Sequence, residues 1–186
     1  MQFLGRPGLY TEKTFREGFA LLEKHDLICD AFCFSSQLPE LYDLAKAFPS
    51  TTIVLDHNGM PLAGLGTHSG VAEYIGQQQE IMDKWKEDMA KIAADCENVV
   101  VKVGAAGFPH TGAGFDKREK PPTSEEVAAA FKDTYLWTIE TFGCDRCMFE
   151  GVRLACLLLS QNFAPPHYHT NDAIRLPLTH SSRLLE

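Results

Sequence analysis

The sequence has no long apolar run. Its longest, Leu154 to Leu159, falls far short of the ~18 residues that a membrane-crossing helix needs. It has no surplus of positive charge either. Asp and Glu number 25 against 17 Lys and Arg, for a formal net charge of -8. Such a surface repels phosphate backbones, which argues against nucleic acid as a partner. The six cysteines follow no framework spacing, so reduced thiols are expected. The opening residues Met1 to Pro7 lack a basic segment followed by an apolar one. No secretory signal and a cytoplasmic location are therefore expected. No internal repeat and no low-complexity stretch is found.

What is present is an ordinary globular composition: hydrophobic residues make up 45% and charged residues 23%, which argues against wholesale disorder. The 186 residues suffice for a single core. Along the chain, helical periodicity alternates with short apolar runs. Helices are predicted over 11–25, where Phe15, Phe19 and Leu22 recur at three- to four-residue spacing, and over 38–48, 77–95 and 124–142. Thr123 or Ser124 caps the last of these, with Glu126 or Val127 in its first turn. Strands are predicted over 27–34, 51–56 and 98–103, with a short one ending at Glu150. A Gly-rich loop is expected over 58–70 and an irregular one over 104–122. This alternation predicts an α/β protein with parallel strands buried on both faces. About four βα units are present, and a complete (β/α)₈ barrel takes ~250 residues. Residues 1–150 form the expected domain. Beyond Glu150 the pattern breaks down, and residues 151–186 are read as an irregular tail.

The sharpest chemical element is Leu55-Asp56-His57-Asn58-Gly59-Met60-Pro61. It sets a histidine at the carboxyl end of a buried strand, where parallel α/β proteins gather their ligands and reactive groups. His57 can move a proton or bind a metal there, or merely bond a loop carbonyl. Asp56 is either its orienting carboxylate or a turn former. Lys102, inside the apolar run Val100-Val101-Lys102-Val103, either faces an anionic substrate or snorkels to solvent. Ser35, Ser36 and Gln37 end the first strand. They could orient a substrate, and the serines could instead cap the next helix. Cys144 and Cys147 form a lone CxxC, a weak zinc or redox signal. His167-Tyr168-His169 follows Pro165-Pro166 in the tail, where no strand would align the two rings. His25, His68, His110 and His180 are read as surface histidines, His110 being a weak candidate because its loop follows the Lys102 strand.

Four stretches together carry a family resemblance. They are Gln37-Leu-Pro-Glu-Leu, Ala47-Phe-Pro-Ser-Thr-Thr-Ile-Val-Leu-Asp-His-Asn-Gly-Met-Pro, Asn98-Val-Val-Val-Lys-Val-Gly and Asp145-Arg-Cys-Met-Phe-Glu. From about Arg6 to Glu150 the chain resembles the amidohydrolase-related metal-dependent hydrolases, the relatives of dicarboxylate and sugar lactonases. The resemblance implies a (β/α)₈ barrel that hydrolyses a lactone, ester or amide, or in some relatives decarboxylates an acid, at its carboxyl-terminal mouth. His57 matches the histidine of the family's Asp-His-x-Gly-x-Pro motif and is the implied catalytic and metal-binding residue. Gln37, Asn58 and Lys102 are the candidate substrate-binding residues. The implied cofactor is a divalent metal, zinc or manganese, although some lactonase relatives work without one.

The pattern is met only in part. The family's first-strand His-x-His has no counterpart before the first strand read here, and the strands count as the fifth to the eighth. The acidic residue of the last strand is unassigned, with Glu150 close to its place. The expectation is a partial barrel of about the last four βα units, with unpaired sheet edges, little activity by itself and a tendency to form homo-oligomers. The alternative expectation is a half-barrel without catalysis, acting as an oligomerising or binding module.

Overall fold

The computed structural model describes residues 6–66, 74–105 and 107–151. The tail and His68, His167, His169 and His180 lie outside them. Four parallel strands, β1 (Cys29–Ala31), β2 (Ile53–Leu55), β3 (Val99–Val103) and β4 (Cys147–Phe149), form one sheet in the order of the chain. Ala31 pairs with Leu55, Leu55 with Val101, and Val101 with Cys147. Helices α1 (Lys13–Lys24), α2 (Leu38–Ala47), α3 (Gln78–Asp95) and α4 (Ser124–Phe142) alternate with the strands.

Strand alternation sorts the side chains onto two faces. Ala31, Ile53, Leu55, Val99, Val101 and Val103 join Leu38, Leu41, Trp85, Met89 and Phe142 in the main core, which lies between sheet and helices. The opposite face carries Asp30, Val54, Val100, Lys102 and Met148, and no helix covers it among the described residues. Ile28, Phe32, Met148 and Phe149 are exposed on the two outer strands and their ends. The expectation of strands buried on both faces therefore holds fully only for β2, which has a strand on either side and is buried at every residue.

The first strand is shorter than the run 27–34 suggests. After α1, Asp26 takes a left-handed φ of 54°, its N–H donates to the Glu23 carbonyl, and the Leu27 N–H donates to the Leu22 carbonyl. This helix-stop motif, with Asp in the place usually held by Gly, keeps Leu27 out of the ladder. At the other end, the Phe32 carbonyl accepts from the Tyr10 hydroxyl at 3.0 Å. The start of α4 follows its sequence: Thr123 Oγ1 accepts from the Glu126 N–H at 3.3 Å, and the Glu126 carboxylate accepts from the Thr123 N–H at 2.8 Å. The start of α2 does not. Its cap position is Gln37, while Ser35 and Ser36 lie in a single 3₁₀ turn, and Ser35 Oγ instead accepts from the Leu62 N–H at 3.2 Å.

Candidate active site

The carboxyl ends of the strands converge on His57. The turn that presents it is wound left-handed, with φ of 57° at His57, 57° at Asn58, 63° at Gly59 and 28° at Met60. Each non-glycine residue so held costs roughly 1–3 kcal/mol, so the surroundings must enforce the turn. They do so from α3, whose Trp85 Nε1–H donates to the Asn58 carbonyl at 3.0 Å. Gly59 is required twice over. Its φ is positive, and a Cβ there would meet Met89 Sδ at 3.0 Å and Leu38 Cδ2 at 3.2 Å.

The turn delivers the imidazole to Glu150, just past β4. His57 Nδ1 contacts Glu150 Oε1, and the His57 backbone N–H donates to Oε2 at 3.3 Å. One carboxylate thus holds both ring and main chain. The two residues can meet because β3 and β4 run tightly together at this end. The Glu150 N–H donates to the Val103 carbonyl at 3.1 Å, and a Cβ on Gly104 would collide with the Glu150 backbone. The imidazole side chain is 17% exposed. The rings of Phe32 and Phe108 lie against it, each with its centroid 5.3 Å from that of the imidazole. Behind them Phe34, Met60 and Leu62 form a second small apolar cluster, with Tyr74 and Phe108 packed on it.

Asp56 does not orient His57, as one reading of the sequence had it. Its carboxylate pairs with Lys102 Nζ at 2.8 Å, and Asp30 joins from the next strand at 3.2 Å. The bond to Asp56 is the main cause that raises the Lys102 pKa above the ordinary lysine value. Lys102 therefore neither stands free for an anion nor simply snorkels into water. Gln37 is buried, with its carbonyl accepting from the Phe34 N–H at 3.3 Å and its amide donating to the Arg6 carbonyl at 3.2 Å. Asn58 is 2% exposed, and neither polar atom of its side chain has a hydrogen-bond partner among the described residues. His110 is half-buried, 6.0 Å from the Phe34 ring, and its loop is joined to the one after β2 by an Ala63 N–H bond to the His110 carbonyl at 2.7 Å. Cys144 is exposed and Cys147 lies in β4, both as free thiols.

Among the described residues no three His, Cys, Asp or Glu side chains gather as a metal-binding group. With Nδ1 engaged by Glu150, His57 offers a cation one nitrogen, Nε2. The described residues alone do not fit a complete metal centre. The arrangement can support proton transfer, because a carboxylate at one ring nitrogen fixes the tautomer and leaves the other nitrogen as base.

The family model described as Amidohydrolase matches residues 3–151. The chain belongs to the amidohydrolase family. Among curated proteins, the uncharacterized protein y4mH of Sinorhizobium fredii is 27% identical over 149 residues, which are 80% of this chain and 41% of that protein. Among solved structures, an amidohydrolase from Burkholderia multivorans with bound HEPES is 20% identical with a TM-score of 0.65, and covers 85% of this chain and 50% of its own. A zinc-bound structure of an amidohydrolase from Burkholderia multivorans, also 20% identical, has a TM-score of 0.64. The fold is thus α/β, a parallel four-stranded part of a TIM-like barrel. The chain spans about half the length of the relatives it matches. Amidohydrolase family membership makes it a member of a hydrolase superfamily, and in the related zinc-bound structure the metal belongs to that protein.

Sequence reasoning left Glu150 without a role and passed over Phe32, Phe108 and Asp30. Asp30 carried a usable signal, as the charged residue inside the apolar run 27–34. So did Glu150, which shares strand parity with Met148 and therefore the face of Lys102.

Proposed function

We propose that the chain carries the proton-transfer half of a hydrolase site acting on a small lactone, ester or amide. The observation that carries this reading is the two-point hold of Glu150 on His57. Glu150 accepts from Nδ1–H and leaves Nε2 as the base. Nε2 takes a proton from water as the water oxygen bonds to the substrate carbonyl carbon and the carbonyl π pair moves onto its oxygen. When the tetrahedral adduct collapses, the C–O or C–N bond breaks, and the leaving atom takes the proton back from Nε2. Asn58 follows His57 in the same turn, with its side chain buried. Lys102 acts by holding Asp30 and Asp56 rather than by binding an anion, and Gln37 acts by bracing the Phe34 backbone. A zinc or manganese ion on Nε2 would take the lone pair that the base needs, and the described residues offer it no second and third ligand. No step above depends on it.

With about half of its relatives' length, the chain by itself is expected to turn over slowly. The test is hydrolysis of simple lactones by the purified chain, with and without added zinc or manganese. The reading expects slow turnover that falls about 100-fold or more in His57→Ala. Turnover that His57→Ala leaves intact sinks it.

A second reading, a non-catalytic module that assembles with further copies, is favoured by the exposed apolar residues of the outer strands, Phe149 being 87% exposed. A concentration-dependent oligomer in size-exclusion chromatography, without His57-dependent turnover, would favour it. A cytoplasmic setting suits the five described cysteines, all of them free thiols. No described helix is long and apolar enough to cross a membrane.

A further inference from the structure

Three features around His57 bear on which substrate it would meet. Its ring is flanked by two phenylalanines, of which Phe32 is 49% exposed and stands edge-on to the imidazole at 76°. A half-exposed aromatic ring beside a reactive nitrogen is a contact surface, and its polarisable face suits a flat apolar group. The floor beneath is apolar as well, made by the cluster of Phe34, Met60 and Leu62 with Tyr74 and Phe108.

The charge on the helix-free face points the same way. Three carboxylates, Asp30, Asp56 and Glu150, end there. Lys102 is the cation among them and lies within 2.8 Å of Asp56 and 3.2 Å of Asp30. Its charge is already answered by two neighbours. A substrate carboxylate would have to displace one of them and then sit beside the other and near Glu150. That repulsion is least screened beside Asp56, whose side chain is 15% exposed.

We infer that this site selects an uncharged carbonyl compound with a flat apolar or aromatic body, held against Phe32 and Phe108, over one that carries a carboxylate. The inference rests on the hydrolase reading for the role of His57, but the selectivity is a property of binding. Phe32 is the residue that sets it, and Asp56 and Asp30 together enforce the exclusion of anions by keeping Lys102 paired.

Calorimetric titration of the whole chain with dihydrocoumarin, a neutral aromatic lactone, and with the same lactone bearing a ring carboxylate tests this directly. The neutral compound should bind about tenfold tighter or better. Phe32→Ala should weaken its binding about tenfold while moving the carboxylated compound little, and Phe32→Leu should lie between. Asp30→Asn should narrow the gap by removing one of the two carboxylates that answer Lys102, with Asp56 still in place. Tighter or equal binding of the carboxylated lactone overturns the inference, as does an equal loss for both compounds in Phe32→Ala, or no binding of either. Hydrolysis of the same two compounds separates this inference from the reading beneath it. Selective binding without turnover sinks the hydrolase and leaves the selectivity. Turnover that needs His57 and prefers the carboxylated lactone does the reverse.

Discussion

At the amino-terminal end of the sheet, Asn98 Nδ2 reaches the carbonyls of Ala45, Phe48 and Thr51 at 3.0–3.2 Å, and Arg146 donates to those of Ala93, Cys96 and Phe142 at 2.8–3.2 Å. Apart from that of Thr51, just before β2, these are the carbonyls left over where α2, α3 and α4 end, groups that a helix cannot satisfy by itself. At the carboxyl end the chain does the opposite. It holds three non-glycine residues of one turn at positive φ, sets Asp30 and Asp56 on Lys102 and Glu150 on His57, and buries an Asn58 amide without a partner among the described residues. In barrel folds the first kind of end reads as stability and the second as chemistry. The difference teaches where to look for function in this chain: at the end where the local rules are broken.

Substitutions can break that comparison. The largest effect is expected from Arg146→Ala, which removes the guanidinium from the Ala93 and Phe142 carbonyls and leaves that of Cys96 only the Val99 N–H, and should lower unfolding free energy by about 3 kcal/mol. Urea unfolding reads it, and any lactone turnover per folded molecule should be unchanged. A loss of turnover beyond the unfolded fraction would erase the division between the two ends. Next comes Glu150→Gln, which keeps the shape but alters the charge and tautomer at His57. It should cut turnover about 100-fold, or about 2.7 kcal/mol of barrel-mouth chemistry, with little change in melting. Equal turnover in the variant would reduce Glu150 to a structural brace.

A pH series sharpens the contrast further. Burial pushes the Cys33 thiol from 9.0 up to about 12, and the bond to Asp56 raises Lys102. Both groups keep protons in the folded chain that the unfolded chain releases. Their stabilisation is complete below about pH 9 and declines as pH climbs towards about 12. Denaturant midpoints between pH 8 and 11 should fall, and Cys33→Ala should flatten the slope. A midpoint that rises over this range would refute the assignment. The smallest effect is a gain. Asn58→Gly relieves a left-handed residue and removes the orphan amide, so thermal unfolding should show stability unchanged or higher by about 1 kcal/mol. A matching loss of lactone binding would mark Asn58 as part of the site.

Much of the fold was legible because local rules wrote it. The order of helices and strands, the Thr123–Glu126 cap and the burial of Ile53-Val54-Leu55 all follow from spacing and residue type. The strand ends were not legible, because the Asp26 helix stop competes with the ladder for Leu27. Of the site, the sequence by itself determined that His57 sits past a buried strand, before a glycine that the turn requires. It could not tell which carboxylate answers it. Asp56 is the neighbour in sequence, yet alternation turns it towards Lys102, while Glu150, 93 residues away, reaches the ring and backbone of His57. Only the tertiary structure decided that pairing, because the parallel register of β2, β3 and β4 brings their ends together, whereas sequence spacing fixes contacts only within a helix turn or a strand's own face.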